Sequence, residues 1–343
     1  MDMSAAPHLS GNGELTNVQN RPGPDGRGEC LTRLADPVRV VAPRALADAL
    51  AGACTLDMDG HRWSAGNTAA ARSVLACDGA RGLLGALAER LDRAAGREPG
   101  WAVLALPARL GDEELQVAGA GVLAALGTPF YSVRQGEGQL WIGQESSPDN
   151  EGASFGGSGA QALHVDAPNV EQVPEYTALL VLRADPAGGG ASVLGDLRAA
   201  AGLLGEADRE ALLEPVFFEG RAEGLHGVGA VRMPFPVLEI NGDGELVWVR
   251  WAAKMIEDPR NAGRTGPLER FAEALAHTTV AVTLERGQLL VLDQRRIAHG
   301  RSALGDQRGL ADGTRRWIVQ AKATFDPSAP AYQERAEDRE AGR

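Results

Sequence analysis

Apolar residues recur at three- and four-residue intervals over Ala45–Ala53, Ala69–Ala76, Leu83–Ala95 and Glu113–Leu126, the spacing that lines one face of a helix. Between the last two, the unbroken run Trp101–Leu106 reads as a buried strand. From about Gln139 the period shortens. β-prone runs at Leu140–Gly143, Tyr176–Arg183, Ser192–Leu194, Val216–Phe218, Val231–Ile240, Leu246–Trp251, Val280–Leu284, Gln288–Leu292 and Trp317–Thr324 alternate with Gly- and Pro-rich connections. So many short strands predict a β-sandwich or barrel. Helical stretches at Leu197–Leu204, Asp208–Leu213 and Leu268–His277 interrupt it and are expected on its outer face. The fold class is therefore α+β, with one domain over 37–325, helical over 42–127 and a β core over about 138–325. Residues 1–36, rich in Gly, Pro, Asn and Asp, predict a disordered or loosely packed start, and 326–343 a charged tail. Two Gly-rich stretches, Glu145–Gly159 and Glu219–Gly229, are expected to act as lids.

Composition narrows the partners. The 343 residues are 44% hydrophobic and 23% charged, ordinary for a globular protein. A net charge of −12 opposes phosphate backbones and anionic membranes, so a small-molecule partner is expected and neither nucleic acid nor membrane. Cys30, Cys54 and Cys77 show no CxxC spacing and no even count, which predicts a reduced, cytoplasmic chain. Apolar runs such as Ala102–Leu106 and Ala178–Leu182 are too short to span a bilayer, and no targeting segment is visible.

Candidate chemistry lies in the histidines. Of the six, His8 falls in the polar start, His61 follows a Gly turn, His226 sits in a Gly-rich loop and His277 ends a helix, where a cation complements the dipole. His164 and Asp166 differ. In "ALHVDAPNV" they stand two apart in an extended segment, and side chains two apart project to the same side. His299 closes "GQLLVLDQRRIAH", in which a buried strand, a turn and a short strand deliver it to the rim of the β core. Two imidazoles and a carboxylate on one face suit non-haem iron(II). Downstream, Arg316 opens a strand, and its planar fork, permanently charged, suits a buried carboxylate. The helix-borne H-E-x-x-H of zinc hydrolases is absent.

Three blocks, "HVDAPNVEQVPEYTALLVLRAD", "GGGASVLGD" and "GQLLVLDQRRIAHGRSAL…DGTRRWIVQ", resemble the clavaminate synthase-like branch of the TauD-type iron(II)/2-oxoglutarate dioxygenases over roughly residues 100–325. The resemblance implies a double-stranded β-helix (jelly-roll, cupin-like) core with flanking helices, and Fe(II), 2-oxoglutarate and O2 as reaction partners. It implies His164, Asp166 and His299 as catalytic iron ligands, and Arg316 with Ser192 as the grip on the distal carboxylate of 2-oxoglutarate. Asp293, Arg296 and Arg301, which flank the second histidine, would support the strands or line the mouth. Asp166 excludes the halogenases of the superfamily, which carry Gly or Ala there to admit chloride. Gln320 stands where relatives acting on free amino acids carry a substrate-binding arginine, which turns attention to Lys322 or Arg250 for any substrate carboxylate. Gln294 replaces a frequent Asn. Substrate contacts are expected from Gln144, Phe155, Asn169, Arg250 and Trp251. The implied reaction is hydroxylation of an unactivated C–H bond, with desaturation or cyclisation as alternatives. The implied substrate is a small polar amino-acid-derived or nucleoside-like intermediate of secondary metabolism, such as antibiotic biosynthesis.

Overall fold

A computed structural model describes residues 33–34, 39–56, 63–91, 99–130, 139–147, 149–152, 156–220 and 234–332. The first part runs β1 (Arg33–Leu34), β2 (Arg39–Val41), α1 (Arg44–Ala53), α2 (Ala65–Leu75), α3 (Asp78–Leu91), β3 (Trp101–Ala105), α4 (Asp112–Leu126) and β4 (Gly127–Phe130). The middle continues with β5 (Ile142–Glu145), β6 (Gln161–His164), β7 (Tyr176–Arg183), β8 (Ser192–Asp196), α5 (Leu197–Gly202) and α6 (Glu206–Leu213). It closes with β9 (Leu238–Ile240), β10 (Leu246–Val249), α7 (Thr265–Ala276), β11 (Thr279–Val282), β12 (Gln288–Asp293), β13 (Ile297–Arg301) and β14 (Trp317–Phe325).

Two sheets face each other. The larger has the order β2-β3-β12-β7-β14-β4 with β5 also on β14, and the smaller β1-β11-β8-β13-β6. Their alternation of side chains builds three apolar layers. On β7, Ala178, Leu180 and Leu182 join the cluster under α1–α4, while Leu179 and Val181 point the other way. There they meet Leu194 of β8, Val282 of β11 and Ile297 of β13 across the sandwich. Outside the smaller sheet, Ala298 packs with Leu197 of α5 and Leu268 and Phe271 of α7. Each such large apolar side chain contributes about 1.5–3 kcal/mol when fully buried. α4 is buried along its whole length from Leu115 to Leu126, and its small residues permit that. A Cβ on Gly121 would lie 2.8 Å from Leu50 of α1, so glycine lets the two helices close up.

The passage from β12 to β13 positions the site, because it carries the chain from the larger sheet to the smaller within the turn 294–296. Asp293 fixes that turn, accepting from the Arg295 backbone N–H at 3.0 Å and its Nε at 2.6 Å. The sequence also misplaced some elements. Val216–Phe218 is only a bridge between Phe217 and Phe235, and of the expected strand 231–240, whose first three residues lie outside the described ones, only Leu238–Ile240 of the described part is strand. Pro234 and Pro236 are the reason, since proline cannot donate to a ladder. β4, hidden in the end of the helical pattern, is an edge strand that tolerates Pro129. No helix of the described residues is long and apolar enough to cross a membrane.

Candidate active site

β6 and β13 pair antiparallel with His164 directly opposite His299, which brings the two rings to 4.5 Å between centroids at a 42° tilt. On the other flank of β13, β8 sets Leu194 opposite His299 and Ser192 opposite Arg301. Beyond the end of β6, the backbone is still paired at Val165. The Val165 N–H donates to Trp251 O at 2.8 Å and its side chain enters the helix-side cluster. Asp166 therefore returns to the side of His164, as the two-residue spacing requires. Ala167, with φ at 52°, then turns the chain away at Pro168; a non-glycine residue in this left-handed region marks a tightly held bend.

The three side chains offer ligand atoms that all lie within 4.8 Å of one another. His164 Nε2 is 3.9 Å from Asp166 Oδ1, and His299 Nε2 is 3.8 Å from Asp166 Oδ2. Atoms bound to one ion at about 2.0–2.2 Å stand roughly 3–4 Å apart, so one ion fits among them. Protonation suits a metal as well. His164 Nδ1 lies 2.9 Å from Ala162 O, and a carbonyl only accepts, so Nδ1 carries a proton and, in the neutral tautomer this selects, the lone pair is on Nε2. Burial, with the neighbouring His164, pushes the His299 imidazole down to about 3 and keeps it neutral. Burial opposes ionisation of Asp166. Lys322, His299, His164 and the Thr177 hydrogen bond outweigh it and hold the carboxyl well below the usual carboxylate range. Thr177 Oγ1 donates to Asp166 Oδ2 at 2.8 Å and Gln320 Nε2 at 2.9 Å, while Oδ1 carries no hydrogen bond among the described residues. The backbone N–H of Asp166 is held by Gln294 Oε1 at 2.6 Å.

This triad lines a cavity of about 480 Å³, within the range of small-molecule sites. Leu179 and Ile318 supply an apolar wall, and Ser192, Arg301 and Arg316 share the lining. The Arg316 side chain, 8% exposed, meets no hydrogen-bonding or acidic partner among the described residues. Burial, then the repulsion of Arg301, push its guanidinium down to about 9 against an upward pull from Asp185. A buried cation without a counter-charge is a site for an anion. Gly190 makes room for it: with φ at 63°, a Cβ there would lie 3.2 Å from Arg316 Nε and 2.5 Å from Leu304 Cδ2. Arg301 is otherwise engaged, one terminal nitrogen donating to the carbonyls of Gly157 and Gly159. Lys254 stands on the cavity wall and pairs with Glu219.

The structure thus brings His164, Asp166, His299, Ser192 and Arg316 to one cavity. Of the expected substrate residues, Arg250, Asn169 and Trp251 are engaged elsewhere. Arg250 is buried and occupied by Glu239 at 3.0 Å and by the carbonyls of Pro168 and Val170 at 2.9 and 2.6 Å. Asn169 donates to the carbonyls of Glu219 and Gly220, and Trp251 packs on Phe271 in the apolar cluster. These three hold the bend after Asp166 against its neighbours. Gln144 pairs with Ile318 on the β5 edge, and Phe155 lies outside the described residues, as do most of the expected lid residues of Glu219–Gly229. Asp293 serves Arg295, and Arg296 lies 4.0 Å from Asp196. Thr177 and the roles of Gln294 and Lys322 went unforeseen: Lys322, expected against a substrate carboxylate, stands 3.7 Å from Asp166 Oδ2 instead. The signal for Lys322 lies in β14, where Val319, Ala321 and Ala323 face the helices while Gln320 and Lys322, buried, face the other sheet. Polar residues on the inward phase of a strand mark a site.

Residues 84–224 match the family described as taurine catabolism dioxygenase TauD, TfdA family. A uridine-5'-phosphate dioxygenase from Amycolatopsis sp. is 28% identical over 249 residues, spanning 68% of this chain and 87% of the relative. Among solved structures, asparagine oxygenase in complex with Fe(II), 3-hydroxyasparagine and succinate is 22% identical with a TM-score of 0.64, covering 84% of this chain and 93% of its own. The non-heme iron oxygenase OrfP in complex with iron and alpha-ketoglutaric acid is 19% identical with a TM-score of 0.61, covering 85% and 95%. The two structural likenesses are likenesses of fold.

Proposed function

We propose that the chain is a TauD/TfdA-type dioxygenase that works with iron(II) and 2-oxoglutarate, in which His164, Asp166 and His299 hold the iron while Arg316 and Ser192 hold the far carboxylate of the co-substrate. In this reading the two facing sheets form a double-stranded β-helix within one catalytic domain over 37–325. The observation that carries it is the shared cavity: a triad with metal-ligand spacing at one part of its wall and an unpartnered buried arginine at another. When bound, iron and 2-oxoglutarate supply an oxidant for an unactivated C–H bond; O2 and the co-substrate are consumed, and hydroxylated product, succinate and CO2 balance the atoms. The protein's share is placement. Thr177 and Gln320 fix the orientation of Asp166, the Ala162 carbonyl fixes the tautomer of His164, and Leu179 and Ile318 keep water from the co-substrate.

For the substrate we favour a small nucleoside-like molecule over a free amino acid, in the biosynthesis of a secondary metabolite such as an antibiotic. Gln320 is committed to Asp166, so the position that would offer a charged grip to an α-carboxylate offers none. Lys254 puts a cation on the cavity wall that suits a phosphate, and the Amycolatopsis relative is named for a nucleoside 5'-phosphate. The test is aerobic incubation with iron(II), 2-oxoglutarate and panels of nucleoside 5'-phosphates and amino acids, following succinate and product mass. A nucleotide should raise succinate release and emerge heavier by one oxygen atom. Stimulation confined to free amino acids would contradict the substrate reading, and no succinate from any His164→Ala-sensitive reaction would contradict the site.

A further inference from the structure

Lys322 is a buried cation that the proposed chemistry does not use. It stands on β14 in register with Thr177 of β7, with its side chain 9% exposed. Its Nζ lies 3.7 Å from Asp166 Oδ2 and 3.3 Å from Gln320 Oε1. It does not border the cavity, so it is not placed to read a substrate anion there. Among the described residues, Asp166 is the acid within ion-pair distance of it, and the other ionisable groups around that carboxylate are His164 and His299.

We infer that Lys322 is a built-in counter-ion for Asp166, which holds the carboxylate in position before metal arrives and weakens the grip of the site on a divalent cation. The inference rests on Asp166 being a metal ligand. Thr177 and Gln320 donate to Oδ2, the Lys322 ammonium and His299 Nε2 stand 3.7 and 3.8 Å from that same oxygen, and Oδ1 faces His164. The lysine therefore shares the charge of the carboxylate without blocking the ligand position. A buried carboxylate left without any cation is costly, and in the metal-free protein the ammonium removes that cost. Once a divalent cation binds the same carboxylate, two positive centres share one negative group in a place where water screens poorly, and they repel. The centre is thus charge-balanced before loading by Lys322 and after loading by the dianionic co-substrate. Lys322 acts through Asp166 and is a positioning residue. It stands beside Gln320 on the polar phase of β14, and both side chains face Asp166.

The test is calorimetric titration of metal-free protein with Co(II), together with thermal melts with and without the metal, on the wild type, Lys322→Met and Lys322→Arg. Lys322→Met should bind Co(II) at least tenfold more tightly while its metal-free form melts at a lower temperature, and Lys322→Arg should stay near the wild type in both. Folding of Lys322→Met only in the presence of Co(II) would support the same conclusion. Equal or weaker Co(II) binding by Lys322→Met, or failure to fold with Co(II) present, would overturn it and leave the lysine a structural residue. Asp166→Asn separates the two levels: if that variant binds Co(II) as tightly as the wild type, the ligand assignment fails rather than the counter-ion.

Discussion

Replacing Arg316 by methionine should stabilise the metal-free protein while it disables co-substrate binding. Methionine keeps most of the apolar stem that lies beside Gly190 and Leu304 and removes the guanidinium. Burial, with Arg301 adding to it, depresses the guanidinium well below its ordinary value, to about 9. At about 1.4 kcal/mol per pKa unit, that shift corresponds to a folding cost on the order of several kcal/mol, some of it relieved by relaxation. The sign follows from proton binding. Below about pH 9 the guanidinium is protonated in both native and unfolded chains, and the native state bears the full cost; above it the native state loses its proton before the unfolded chain does, so stability of the wild type rises with pH. The variant should therefore melt roughly 2–6 °C above the wild type at neutral pH, with the gap closing in alkali. Loss of a buried charged partner costs about 2–5 kcal/mol of binding, so the dissociation constant for 2-oxoglutarate should rise from about thirtyfold to several thousandfold. Differential scanning calorimetry and titration with 2-oxoglutarate read the two effects on the same samples. A variant that melts lower than the wild type and binds 2-oxoglutarate unchanged would refute the reasoning.

Other substitutions probe the supports of the site. Gly190→Ala adds a Cβ at 2.5 Å from Leu304 Cδ2 and 3.2 Å from Arg316 Nε at a positive φ; it should cost about 1–3 kcal/mol in urea unfolding and raise the KM for 2-oxoglutarate. Thr177→Val removes the 2.8 Å hydrogen bond to Asp166 Oδ2 at nearly constant shape, and Co(II) affinity by titration should fall roughly 10- to 100-fold. Arg250→Met leaves Glu239 and the carbonyls of Pro168 and Val170 without their donor, and chemical unfolding should show a loss of about 3–5 kcal/mol.

Much of this was legible in the sequence, for identifiable reasons. The long helices and β7, β12 and β14 carry clear periodicity because each buries a whole face, so hydrophobic spacing placed them within a few residues. Gly127–Phe130 and Gln161–His164 did not show, since one is a short edge strand behind a helix and the other carries polar residues toward the site. His164, Asp166, His299 and Arg316 were singled out by residue type and spacing and Ser192 by the family resemblance, and the structure gathers all five at one cavity. The substrate candidates fared differently. Arg250, Asn169 and Trp251 lie beside Asp166 along the chain or in the neighbouring bend, but neighbourhood in sequence does not say whether a side chain enters the cavity or ties down the backbone behind it. Only the register of β7 against β14 puts Thr177 next to Lys322 and both next to Asp166.

The most direct test of the central claim is anaerobic titration of the protein with iron(II) and 2-oxoglutarate, following visible absorption. The account predicts a weak charge-transfer band that forms only when both are present, saturates with one iron per chain and is lost in Asp166→Ala. No band in the wild type, or an undiminished band in Asp166→Ala, would contradict it.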